Sequence, residues 1–149
     1  MPVNKENKID TVGFQLRQIT TDQFAILAEL YDSSIEKIGL SINLKFGLDK
    51  EKHIIASSVL VKFEQKKKPF IITEVTNHFD IEEKAWDSFF DSEDKAIIPK
   101  GFASHLVVLT IGTLRGVLHA KTENTEFNKF VLPTINVMNM VKDDVELSD

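Results

Sequence analysis

The chain has 149 residues, a net charge of −5 and no cysteine. This length predicts one domain with short tails. The acidic balance argues against a nucleic-acid partner, whose phosphates require a basic surface, and the lack of cysteine excludes disulfides and thiolate metal sites. The first ten residues are polar, and the longest apolar run, residues 106–118, is broken by Thr, Gly and Arg and is too short to span a bilayer. We therefore expect a soluble, cytoplasmic protein without membrane insertion.

The first half of the chain reads as strands, after a tail at residues 1–11 that we expect to be disordered. Alternation of apolar and polar side chains predicts four strands, near residues 14–16, 38–46, 55–63 and 70–81. The pattern of residues 21–33 is compatible with a helix, a strand or an irregular arm. A turn is predicted at 47–50 and a lysine-rich hairpin turn at 65–69. Because these links are short, the economical topology is an antiparallel meander.

The second half of the chain reads as helical. Residues 81–90 form either a short helix or an aromatic-bearing loop, and 91–94 are a polar break. A long helix is predicted from Phe102 to Lys121, opened by Pro99, although the Arg115-Gly116 pair permits an earlier end. Residues 131–141 then suggest a short or truncated C-terminal helix, before an acidic tail at 142–149. The predicted class is α+β: a four-stranded antiparallel sheet, a long helix and a short last helix, in a domain over residues 12–141.

The long helix is apolar on nearly every side, and one small sheet cannot cover it completely. Gly112 and Gly116 lie four residues apart and leave a smooth strip where a second backbone could approach. Each glycine costs about 1 kcal/mol relative to alanine inside a helix, so the pair suggests a packing role. Either the helix is covered within its own chain, or it forms a helix–helix oligomer interface. We favour the interface, with Leu109 and Thr113 beside the two glycines.

No pattern in the sequence predicts catalysis, a cofactor or a metal site. There is no glycine-rich phosphate loop, the serines lie in no nucleophile-elbow context, and the acidic run 91–94 lacks the glycine and terminal glutamate of a calcium loop. The histidines lack metal-ligand spacing; they are His53, His78, His105 and His119. Eleven phenylalanines stand against one tyrosine and one tryptophan. Phenylalanine has no polar handle, so this composition favours a core or an apolar contact surface over an active site.

The chain resembles the SecB export-chaperone family over about residues 12–141. Four segments carry the resemblance, in the family's order: Phe14-Gln-Leu-Arg-Gln-Ile19, Ile72-Thr-Glu-Val75, Leu114-Arg-Gly116 and Leu132-Pro-Thr-Ile-Asn136. The resemblance implies a homotetramer, built as a dimer of dimers with the long helices packed between dimers. It also implies a molecular chaperone of protein export, which binds unfolded or pre-secretory polypeptides along apolar grooves and delivers them to the translocase motor SecA.

The resemblance also implies residue roles. Client-binding side chains would be those in the region of the family's groove and crossover loop: Phe79, Trp86, Phe89, Phe90 and Phe102; ordinary core packing is the alternative for them. Ile72 and Glu74 match the family's SecA-contacting segment. The family has further acidic SecA contacts just after the first strand, but here Gln23 and Leu27 stand near those positions. The tail is also short. These departures also fit a specialised SecB-like chaperone of a toxin–antitoxin system. A small-ligand-binding or scaffold α+β protein, with an apolar pocket between sheet and helix, is the alternative from another class.

Overall fold

A computed structural model describes residues 12–148, so the tail predicted at residues 1–11 lies outside the described residues, as does Asp149. The strands of the main sheet are β1 (Phe14–Ile26), β2 (Gly39–Asp49), β3 (Ile54–Gln65) and β4 (Lys68–Ile81). They are followed by α1 (Glu83–Ser88), β5 (Ala96–Ile98), α2 (Lys100–Thr122) and β6 (Val145–Leu147). Short 3-10 helices occupy Ala28–Leu30, Glu126–Lys129 and Val137–Asn139. The predicted α+β class is confirmed.

The main sheet is antiparallel with the strand order β1-β4-β3-β2. Strands β2, β3 and β4 form the predicted meander, but the prediction was wrong for β1, which pairs with β4 instead of β2. Residues 27–38, which join β1 to β2, are too many for a tight hairpin. They let the chain cross the end of the sheet and give the arrangement of a Greek key.

Strand β1 is longer than the sequence pattern suggested and absorbs the first part of the undecided segment 21–33. Its register against β4 shifts between Leu16 and Gln18 and again between Thr21 and Gln23. Each shift inserts one extra residue, Arg17 or Asp22, and reverses the side-chain alternation along the strand. The period-two pattern therefore stops after the first few residues, although the strand continues to Ile26.

The two hairpin turns differ in how well the sequence located them. The turn predicted at 47–50 was wrong, because β2 runs to Asp49 and Gly47 is a strand residue opposite Ala56. The lysine-rich turn is confirmed: only Lys66 and Lys67 link β3 to β4. Both have positive φ, 51° and 66°, as a two-residue type I′ turn requires.

Helix α2 matches its prediction closely and continues through Arg115-Gly116, so the earlier end was wrong. Beyond it, the short last helix predicted at 131–141 is a short C-terminal element with one 3-10 turn, Val137–Asn139; another 3-10 turn, Glu126–Lys129, precedes it. Three residues from the predicted acidic tail form β6, which pairs antiparallel with β5. The chain after α2 is therefore anchored to the domain at both 3-10 turns and at this small sheet.

The core lies between α2 and one face of the main sheet. The buried helix residues face β3 and β4: Ala103, Leu106, Val107, Thr110, Ile111, Leu114, Leu118 and Thr122. One side-chain hydrogen bond crosses this layer, from Asn77 Nδ2 to Thr113 Oγ1 at 3.0 Å. By length and composition alone α2 could cross a membrane, since an 18-residue window has a mean hydropathy of 1.4 and is 39% buried. The core helix of a soluble protein passes the same test, and α2 packs on the sheet.

Candidate functional site

The aromatic residues predicted to bind clients lie at the junction of α1, α2 and the sheet. Phe79, Trp86 and Phe89 are buried, whereas Phe90 and Phe102 are partly exposed. The Phe89 and Phe102 rings stack at 5.7 Å, and the rings of Trp86 and Phe90 lie 5.5 Å apart. The first contact joins the end of α1 to α2, and Phe102 also contacts Phe14 of β1, with ring centroids 5.4 Å apart. This packing corresponds to the core-packing alternative. A client-binding role for these residues stays a prediction.

Ile72 and Glu74 lie on the sheet face opposite α2, where polar side chains form cross-strand pairs. Gln23 Nε2 donates to Glu74 Oε1 at 3.2 Å, so the structure joins one SecA-contact candidate to a position where the sequence departs from the family. On the same face, Arg17 Nη1 lies 2.8 Å from Asp80 Oδ1. The outer face is thus polar and of mixed charge, and the SecA prediction is untested.

Three of the four predicted interface residues lie on an open strip of α2. Gly112 and Gly116 are exposed, and a Cβ added at either meets no atom within 4 Å. Leu109 is 39% exposed beside them. Thr113 differs, because its hydroxyl accepts from Asn77 and donates to the Leu109 carbonyl at 3.1 Å. Leu109, Gly112 and Gly116, which we call the glycine strip, therefore form a face of α2 that residues 12–148 leave open.

Arg115 links the two sequence motifs that follow one another at the end of the domain. Its Nε donates to the Leu132 carbonyl at 3.1 Å, and its Nη2 donates to the Pro133 carbonyl at 3.0 Å. Leu132 is also buried, so this part of the C-terminal segment is held firmly beside α2. The Arg-Gly and Leu-Pro motifs are thus two halves of one contact.

Two larger clefts flank the C-terminal segment, residues 130–145, besides one of about 360 Å³ that lies along Gly112 and Gly116 and is bordered by Phe130 and Val131. One, of about 600 Å³, lies beside the first half of α2, and its apolar lining includes Val108, Ile135 and Met138. The other, of about 580 Å³, lies beside β2 and is lined by Leu44, Phe46, Asn139, Met140, Val141, Lys142, Asp143 and Val145. We call the second one the β2 groove. Neither cleft could be recognised in the sequence, because residues 131–141 contain one 3-10 turn but no α-helix or strand whose period would mark one face.

Titratable groups are scattered over the surface. Within residues 12–148 no three His, Asp or Glu side chains lie close enough together to hold a metal ion. One carboxyl has a shifted pKa: the hydroxyl and the backbone N–H of Ser34 both donate to Asp32 Oδ1 and lower the pKa of Asp32. Asp32 lies in the exposed connection between β1 and β2, so this shift belongs to a local turn. In residues 12–148, the surfaces that could bind a partner are therefore the apolar clefts and strips described above.

No family model and no curated protein matches the chain. Among solved structures, the chain is similar to a SecB-like chaperone from Mycobacterium tuberculosis, solved in complex with a peptide from the HigA1 antitoxin. The TM-score is 0.48 at 11% identity, over 83% of this chain and 91% of that one. It is also similar to a Streptococcus agalactiae protein of unknown function, with a TM-score of 0.37 at 12% identity, over 85% of this chain and 98% of that one.

Proposed function

We propose that this protein is a SecB-like chaperone that binds unfolded polypeptides as a homo-oligomer. The observation that carries the proposal is the amount of large apolar surface that the domain leaves uncovered. These side chains are Leu16, Ile19, Leu30, Leu40, Ile97, Val108, Leu109, Val131, Met138 and Met140. Some of them lie together: Val108 and Met138 line one cleft, and Met140 lines the β2 groove with Leu44 and Phe46. Contiguous exposed apolar surface marks interaction sites, and the sequence resemblance to the SecB family supplies the kind of partner.

Two kinds of apolar contact are needed for this activity, and the surface offers both. The glycine strip permits close approach of a second helix, which supports self-association into the tetramer that the resemblance implies. Other apolar side chains stay free for clients. Methionine is flexible and polarizable, so the exposed Met140 suits partners of varied sequence. Binding of this kind needs no catalytic group.

The cellular role has two versions. In general export, the protein would pass pre-secretory clients to SecA through the sheet face that carries Ile72 and Glu74. The Gln23–Glu74 pair, at a place where the family has further acidic residues, instead favours a specialised chaperone of a toxin–antitoxin system. A pull-down with purified SecA separates these versions, since retention on SecA that is lost in Glu74→Lys supports export.

The decisive test is suppression of aggregation. A chemically denatured client is diluted into buffer with an equimolar amount of the assembled protein, and light scattering and gel filtration are followed. We expect suppressed scattering and a co-eluting complex, with no complex when the client is added in its native state. Neither suppression nor a complex with any of several clients would refute the chaperone function.

A small-ligand-binding protein is the second candidate, favoured by the cleft of about 600 Å³ beside α2, which lies within the usual size range of ligand sites. This cleft lies between α2 and the C-terminal segment, not between sheet and helix. Light scattering on the purified protein discriminates the two functions. A monomer at all concentrations, together with saturable binding of a small apolar dye at one site, would favour the ligand-binding protein.

A further inference from the structure

The two edges of the main sheet are built differently. At one edge, β1 carries its extra residues Arg17 and Asp22 at two register shifts. At the other edge, β2 pairs with β3 in unbroken register from Gly39 opposite Glu64 to Asp49 opposite Ile54. Bulges are a common device that stops an edge strand from pairing with another chain. The edge formed by β1 is therefore protected, and the edge formed by β2 lacks this protection.

The outward backbone of β2 has no strand partner among residues 12–148. The sheet ends at β2, and β6, which passes nearby, pairs with β5. None of the backbone hydrogen bonds made by loops and turns in this part of the chain involves residues 39–49. No residue of β2 is fully buried. The strand thus has a row of outward N–H and C=O groups without backbone partners in residues 12–148, and another extended backbone could pair with them.

The β2 groove lies directly beside this edge on the core side. Leu44 and Phe46 of β2 form one wall, and Met140 and Val141 of the C-terminal segment contribute to the other. Because side chains of a strand alternate between faces, a strand added to β2 would place every second side chain on the side of this groove. Its apolar walls favour apolar side chains at those positions.

The charges at this site are balanced. Lys142 and Asp143 both line the groove, and β2 carries one charge of each sign, Lys45 and Asp49. A strongly acidic or basic segment would gain little there and would lose hydration. The charge pattern therefore complements an uncharged segment.

We propose that the β2 edge binds an extended, uncharged polypeptide segment with apolar side chains at alternate positions, which adds to the sheet as a fifth strand. This inference rests on the proposed chaperone function and assigns its client site to residues other than the aromatic set predicted from the sequence. Main-chain hydrogen bonds to β2 bind the client whatever its exact sequence, and the β2 groove selects the apolar pattern.

Hydrogen exchange resolved by mass spectrometry locates the client. The probe is reduced, carboxymethylated lactalbumin, a permanently unfolded chain, added to the full protein at saturating concentration. We expect amide exchange in residues 39–49 to slow at least about tenfold, as new interstrand hydrogen bonds protect them. Exchange in β1 stays unchanged and provides the internal reference.

A matched pair of variants tests the groove. Met140→Asp puts a charge into the β2 groove, whereas Met138→Asp puts the same charge into the other cleft, at a side chain that is 77% exposed. We expect Met140→Asp to weaken probe binding about tenfold, because a charge would be desolvated when the client docks. Met138→Asp should bind like the wild type, and circular dichroism checks that both variants fold.

The outcomes separate this inference from the function on which it rests. Probe binding with protection at β1 or α2 instead of β2, or equal weakening by both variants, overturns strand addition and leaves the chaperone function standing. Protection of residues 39–49 that grows with protein concentration without any probe means that a second copy occupies the edge, which also overturns it. If the probe does not bind at all, the proposed function and this client site fail together.

Discussion

Adding two methyl groups to the glycine strip tests whether α2 is an assembly surface. In Gly112→Ala/Gly116→Ala, neither new Cβ meets an atom of its own chain within 4 Å. Within one chain, the change therefore acts through helix propensity, which favours alanine by about 1 kcal/mol per site. The isolated chain should gain about 2 kcal/mol, equivalent to a rise in Tm of about 4–8 °C for a domain of this size.

In an assembly that uses the strip, the same methyl groups enter a close contact between two helices. Overpacking typically costs about 1–3 kcal/mol for each inserted group, and a symmetric contact meets the change in both copies. We expect the variant to dissociate at concentrations where the wild type is assembled, as measured by light scattering coupled to gel filtration. The dissociated chain should nevertheless be more stable than the wild-type chain.

A control on the same helix separates propensity from packing. Ala120→Gly changes an exposed helix residue and removes a methyl group instead of adding one. It should lower stability by about 1 kcal/mol and leave the molar mass of the assembly unchanged. A double-alanine variant that keeps the wild-type mass and simply gains about 2 kcal/mol would refute the interface.

Two further predictions concern the C-terminal segment and the hairpin tip. Arg115→Leu removes the hydrogen bonds donated to the Leu132 and Pro133 carbonyls, and it should lower the free energy of unfolding, measured in urea, by about 2 kcal/mol. Arg115→Lys keeps the charge but not the two-pronged guanidinium, so its stability should lie between those of Arg115→Leu and the wild type. If Arg115→Leu loses less than about 0.5 kcal/mol, this contact does not hold the C-terminal segment. Lys67→Gly should stabilise the protein by about 1 kcal/mol, because φ is 66° there and glycine adopts such a conformation without strain. Thermal unfolding measures the change, and Lys68→Gly in the adjoining strand, as the control, should destabilise the protein. A destabilised Lys67→Gly would contradict the turn conformation.

The sequence located an element correctly wherever the spacing of apolar residues within that element was regular. The alternation along residues 55–63 located β3, whose inward side chains lie in the core. Pro99 and the apolar run behind it located α2 to within a few residues. The pattern failed at β1, where two bulges reverse the alternation, and at Gly47, which is a turn residue by composition and a strand residue by position.

The candidate functional residues likewise include some that could be assigned from the sequence and some that could not. Gly112 and Gly116 could be singled out from the sequence, because their spacing of four places them on one side of any helix. Phe79, Trp86 and Phe89 could not be assigned to core or surface, since an aromatic side chain suits either, and the packing of α1 and α2 against the sheet buries all three.

By itself, the sequence determined the α+β class, the strands from residue 38 onward, the long helix and the apolar character of its surface, because each depends on residues close together in the chain. Only the tertiary structure decided that β1 lies beside β4, that Arg115 holds the C-terminal segment, and that β2 is left as an open edge beside an apolar groove. These features depend on which distant segments meet. Which segments meet is determined by the burial of apolar surface and the pairing of backbone groups over the whole domain. The spacing of residues within one segment does not contain this information.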